Sequence, residues 1–134
     1  QLMKQAEAKL SEINPLSLLT IGRKFLDTSL IRRAGYRLFE EEDYSRALEA
    51  ARDSHDGSLA LMVSKSAKNP EIIYMAGRLG FNYKAVGKAR KRIVKNDPHH
   101  AEALGTRLHD GDLVNMAINR RKRMQSPWYR EFCS

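Results

Sequence analysis

The sequence predicts an all-α fold, a compact bundle of about eight to nine short helices joined by tight turns. Three observations carry that expectation. Turn-forming dipeptides and prolines recur at intervals of about 10 to 15 residues, which leaves room for short helices between them. Almost no segment alternates apolar and polar residues with period two, so nothing reads as a half-buried strand. Ala, Leu, Lys, Arg and Glu, all good helix formers, are common, against only 8 Gly and 4 Pro. At 134 residues the chain fits a single domain, residues 1–134, with one modest core.

Leu2, Ala6, Leu10 and Ile13 recur at helical spacing and predict a first helix over Leu2–Ile13. Asn14-Pro15 ends it, because proline disfavours helical geometry in the residue before it. Pro15 then suits the first turn of a second helix running to about Leu26. Asp27, Thr28 or Ser29 can cap a third over Leu30–Glu41. Glu40–Asp43 reads as an exposed helix end and turn. Tyr44, Ala47, Leu48 and Ala51 share one face of a fourth helix, Tyr44–Ser54, which Asp56-Gly57 breaks. Ser58–Lys68 is predicted next and stops at Asn69-Pro70. Glu71–Leu79 follows, punctuated by Gly80, then Tyr83 to Lys95, stopped by Asn96-Asp97-Pro98. Pro98–Leu108 is closed by Asp110-Gly111, and Leu113–Met124 is the ninth. The tail from Ser126 to Ser134 is expected to add a turn, with Trp128, Tyr129 and Phe132 folding back on the core.

The triplet His55-Asp56-Gly57 reappears 54 residues on as His109-Asp110-Gly111; Ala47-Leu48 and Ala103-Leu104 precede them, and Leu59 with Met62 and Leu113 with Met116 follow. Either duplicated helical hairpins or chance use of a common helix-ending turn accounts for it. Ala34, Gly35, Tyr36 and Leu38 with Tyr44, Ala47 and Leu48 loosely resemble one tetratricopeptide hairpin. The period of such repeats is not sustained.

Charge separates the two halves. Formal net charge is +8, yet residues 1–69 hold 11 Lys and Arg against 10 Asp and Glu, whereas residues 70–134 hold 13 against 6. A basic half of this kind points to an anionic partner, with solubility as the plainer alternative. Lys84, Lys88, Lys91 and Lys95 recur at steps of four, three and four along the seventh helix, with Arg92 beside them. They form a stripe rotated away from the apolar positions Tyr83, Val86, Ala89 or Arg90, and Ile93. No acid interrupts residues 78–96. A second basic run, Arg120-Arg121-Lys122-Arg123, ends the ninth helix, where one or two cations also complement the helix dipole.

Residues 72–91 resemble the helix-turn-helix of DNA-binding proteins. Ala76 supplies the small residue of the first helix, Gly80 the turn, Leu79 and Phe81 the flanking apolar pair, and Val86 and Ala89 the core-facing positions of the second helix. The likeness covers this motif alone. It implies that Asn82, Tyr83 and Lys84, at the start of the second helix, meet base edges, with Asn suited to adenine and Lys to guanine. Gly87 inside that helix costs about 1 kcal/mol against Ala. An ordinary helical hairpin with a solvated basic face is the competing reading.

The chemistry of an enzyme is missing from the pattern. The four histidines and one cysteine show no zinc-ligand spacing, and His55-Asp56 and His109-Asp110 read as helix-ending turns more readily than as the metal pair of some phosphohydrolases. No phosphate loop and no nucleophile motif occur. The expectation is therefore a protein without catalytic, metal or cofactor site. Its candidate nucleic-acid contacts are Asn82, Tyr83, Lys84, Lys88, Lys91, Arg92, Lys95, Arg120, Arg121, Lys122 and Arg123. The alternative is a helical interaction module that binds an acidic protein or docks in a larger assembly. No apolar run is long enough to span a bilayer, and Cys133 has no partner for an internal disulfide, so an intracellular place, cytoplasmic or nuclear, is expected.

Overall fold

The structure, a computed structural model, describes residues 13–126. They form eight α-helices joined by short turns, with no strand among them: α1 (Pro15–Lys24), α2 (Thr28–Glu40), α3 (Tyr44–Asp53), α4 (Gly57–Ser66), α5 (Pro70–Leu79), α6 (Tyr83–Asn96), α7 (Pro98–Arg107) and α8 (Gly111–Gln125). The all-α expectation is met. The helix expected over Leu2–Ile13 and the aromatic tail with Trp128, Tyr129 and Phe132 lie outside the described residues.

One local device builds most of these helices. Asn14, Asp27, Asp43, Asp56, Asn69, Asp97 and Asp110 each cap a helix, the side chain accepting hydrogen bonds from backbone N–H groups of the first turn. Pro15, Pro70 and Pro98 follow their caps directly, where a missing N–H costs nothing. Of the three candidates for capping α2, Asp27 is the one used, accepting from Ser29 and Leu30.

The turns correct the expected role of glycine. Asp56-Gly57 and Asp110-Gly111 do not break helices; the aspartate is an N-cap and the glycine is the first residue of α4 or α8. No glycine among the described residues has positive φ. The left-handed positions are Leu26 (φ 52°), Glu42 (63°), His55 (54°), Phe81 (58°) and His109 (55°). After each, the next residue's N–H returns to a carbonyl of the preceding helix: Asp27 to Gly22, Asp43 to Leu38, Asp56 to Ala51, Asn82 to Gly77 and Asp110 to Gly105, all at 2.8–2.9 Å. This is the bonding of a Schellman turn. At four of these turns the same aspartate that closes one helix then caps the next, so three residues suffice between them. Helix ends expected at Leu26, Glu41, Ser54 and Leu108 accordingly fall one or two residues earlier.

The chain divides into two units, residues 1–83 and 84–134. In the first, α1 to α5 pack each on the next, and α3 also meets α5 as α2 meets α4. Short turns between packed neighbours make antiparallel hairpins. Leu18, Leu19, Ile31, Ala34, Leu38, Leu59 and Val63 fill the core, with Ala47, Ala50, Ala51, Ala60 and Ala76 at the crossings. The helices approach closely at Gly35, where a Cβ would stand 2.6 Å from Leu59 Cδ2 and 2.9 Å from Ala50 Cβ. In the second unit, α7 packs on α8, and Val86, Ala89, Ile93, Val94, Ala101, Leu104, Leu113 and Ala117 are buried.

Register repeats between the hairpins. Gly22 faces Ile31, nine residues on, with the capping Asp27 between; Gly105 faces Val114 across Asp110 in the same way. The recurring His-Asp-Gly triplets share more than a turn. Asp56 and Asp110 are both nearly buried, cap Leu59 and Leu113, and hold a guanidinium: Arg32 Nε at 3.3 Å and Arg90 Nε at 2.9 Å. Tyr36 also donates to Asp56, and burial first, then this bond, raises its hydroxyl above the ordinary tyrosine range.

Candidate nucleic-acid interface

Helix α6 presents two faces. Val86, Ala89, Ile93 and Val94 are buried. Lys84, Lys88, Lys91 and Lys95 are exposed, and at about 100° per residue they fall within an arc of about 60° on the opposite side. Arg90 lies off that stripe, half-buried, its guanidinium held by Asp110.

Helix α8 meets the lower half of this stripe. Lys91, Val94 and Lys95 of α6, with Met116, Asn119, Arg120 and Arg123 of α8, line one groove of about 290 Å³. Met116, Asn119, Arg120 and Arg123 follow one another at steps of three, one and three, so they share one side of α8. Val94, which is buried, and the half-buried Met116 are the apolar residues of the lining, while Lys91, Lys95, Arg120 and Arg123 supply four positive charges. No carboxylate is among the described residues that line it.

The second basic run is thereby divided. Arg120 and Arg123 line the groove. Arg121 is half-buried and ion-paired with Glu102 of α7, which ties α8 to its neighbour. Lys122 is exposed and lies outside the groove, as does Arg92. Asn119 and Met116 were not singled out from the sequence; the signal was their spacing from Arg120 and Arg123 on one helix face.

The segment resembling a helix-turn-helix is α5, the turn Gly80–Asn82 and the start of α6. Gly80 belongs where it is because a Cβ there would stand 2.5 Å from the Leu61 backbone nitrogen. Phe81 takes the left-handed turn position and is 72% exposed. Tyr83, expected on the apolar stripe, is 71% exposed and meets Phe81 edge to face at 6.3 Å. As the first helical residue, it precedes the part of α6 that is covered. Asn82 is half-buried and its amide donates to Ser64 Oγ at 3.0 Å, which ties the turn to α4.

Among the described residues no group of three or more His, Cys, Asp or Glu could hold a metal ion, and no helix is long and apolar enough to cross a membrane. Comparison of the chain with family models, curated proteins and solved structures finds no match.

Proposed function

We propose that this protein binds nucleic acid, without catalysis, through the basic groove between α6 and α8. The observation that carries this reading is the convergence of Lys91 and Lys95 with Arg120 and Arg123 around one concavity, with no carboxylate among the described residues that line it. Ammonium and guanidinium groups so placed displace the counterions of a phosphate backbone, which is the main source of affinity for nucleic acid. Lys84 and Lys88 extend the same stripe along α6 and would add phosphate contacts at its margin. The likeness of residues 72–91 to a DNA-binding motif favours DNA as the polymer, and such a protein would act in the cytoplasm or nucleus.

Fluorescence anisotropy with labelled oligonucleotides across a salt series tests the reading. Four phosphate contacts predict a slope of log affinity against log salt of about −3.6 on duplex DNA, or about −2.8 on a single strand. Lys91→Glu combined with Arg123→Glu is expected to abolish binding at roughly 50 mM salt while the far-UV circular dichroism stays unchanged. Failure of the native protein to bind at that salt would remove nucleic acid from consideration.

A second reading, an interaction module, draws on a different observation. Phe25 and Leu26 form an apolar turn tip, with Leu26 86% exposed. A module binding through such a tip would tolerate the charge reversals and lose its partner on Leu26→Asp.

A further inference from the structure

We propose that the sugar–phosphate backbone of the bound nucleic acid makes its closest approach to α6 at Gly87, with Lys84 and Lys91, one turn to either side, holding its phosphates. The inference rests on the nucleic-acid reading above and adds a point of contact to it.

Gly87 is a glycine that the fold does not ask for. Glycine in a helix interior lowers stability relative to alanine, so its presence there calls for a reason. Elsewhere in this chain the reason is plain. A Cβ at Gly22, Gly35, Gly80 or Gly105 would stand 2.9, 2.6, 2.5 or 2.8 Å from the nearest atom of a neighbouring helix. Gly57 and Gly111 are the first residues of their helices, outside the interior that the penalty concerns. Gly87 has neither reason. It is the fifth residue of the 14 in α6 and its φ is not positive. Among the described residues nothing lies within 4 Å of where its Cβ would be.

The surrounding helix surface identifies the chemistry of a partner. At about 100° per residue, Gly87, Lys91, Lys84, Lys95, Lys88 and Arg92 follow one another round an arc of about 140°. No carboxylate and no apolar side chain of α6 falls within that arc. The four lysines are exposed and, among the described residues, unpaired. A protein helix crossing at a glycine needs apolar side chains around the crossing to bury, and this arc offers none. An anionic polymer needs cations around the contact, and residues three before, one after and four after Gly87 supply them.

The bare helix surface at Gly87 lets such a chain come nearer the helix axis than it could over any other residue of the arc. The N–H groups of a helix interior are already bonded, so Gly87 offers van der Waals contact rather than a hydrogen bond. The carbon atoms of a sugar suit that contact, and the phosphates on either side of the sugar are what Lys84 and Lys91 attract.

The test is Gly87→Ala, measured by anisotropy against a labelled duplex and a labelled single strand of DNA. Its urea midpoint is expected to rise, while affinity for whichever probe the native protein binds more tightly falls at least about 5-fold, the factor set by the lower end of overpacking a close contact. No charge is removed, so the slope of log affinity against log salt stays that of the native protein. Gly87→Leu, also a good helix former, is expected to lose more. Gly111→Ala adds a methyl group to equally open space, beside Asp110 and Asp112 instead of lysines, and should leave affinity unchanged. Native affinity in Gly87→Ala, or a lowered urea midpoint, overturns the inference while leaving nucleic-acid binding in place. Absence of binding by the native protein to both probes overturns both.

Discussion

Gly80 and Gly87 stand seven residues apart in the chain, and alanine should have opposite effects at the two. Gly80 is the C-cap of α5 with φ −94° and ψ 7°, a backbone that alanine adopts without strain, so only its surroundings matter. A Cβ there would stand 2.5 Å from Leu61 N, 2.8 Å from Leu61 Cα and 3.1 Å from the Ala60 carbonyl carbon. All three are backbone atoms of α4, and none can rotate away. Carbon atoms rest about 3.5–4.0 Å apart, so α4 and α5 must separate by about 1 Å or distort. Overpacking of this kind costs about 1–3 kcal/mol, and the upper end applies because the obstacle is main chain. At Gly87, inside α6, a Cβ meets nothing within 4 Å. There alanine gains helix propensity at no steric cost, worth about 0.5–1 kcal/mol. The two conservative changes should therefore differ by about 3.5–4 kcal/mol in stability. Urea unfolding followed by circular dichroism measures both. A Gly80→Ala variant within about 0.5 kcal/mol of the native protein, the range of ordinary surface substitutions, would refute the close approach of α4 and α5.

Two further outcomes test the shared turn device. Asp110→Ala removes the cap of α8 and the partner of the half-buried Arg90, and should cost about 2–3 kcal/mol against about 1 kcal/mol for the exposed cap Asp97→Ala, read by the same urea titration. Tyr36 is held neutral in the fold, so its contribution to stability is complete below the ordinary tyrosine value and falls away as pH rises through its raised one; an alkaline unfolding series should show this loss, and Tyr36→Phe should flatten the curve.

Much of the fold was legible because its signals act within one helical turn. Asn14-Pro15, Asn69-Pro70 and Asp97-Pro98 mark boundaries between helices in the sequence, and the structure shows that Asn14, Asn69 and Asp97, like Asp27 and Asp43, cap the helix that follows through bonds to N–H groups two or three residues ahead. The triplets at His55 and His109 misled for an equally local reason. Glycine is the usual left-handed residue, so Asp-Gly reads as a stop, yet the structure gives the left-handed position to histidine and leaves the glycine inside the helix. Choosing between them depends on which residue's N–H reaches back to close the earlier helix. Composition does not encode that.

The sequence alone determined that the chain is helical, where its turns fall and that its cations gather on α6 and at the end of α8, since periodicity and capping are properties of neighbours in the chain. Only the tertiary structure decided what each cation faces. Arg90 and Arg121 look no different in the sequence from Lys91 and Arg123, yet Asp110 and Glu102 take the first two while the other two line a groove. One residue along a helix turns a side chain by about 100°, and whether that turn meets a carboxylate or a cleft depends on helices that lie far away in the chain.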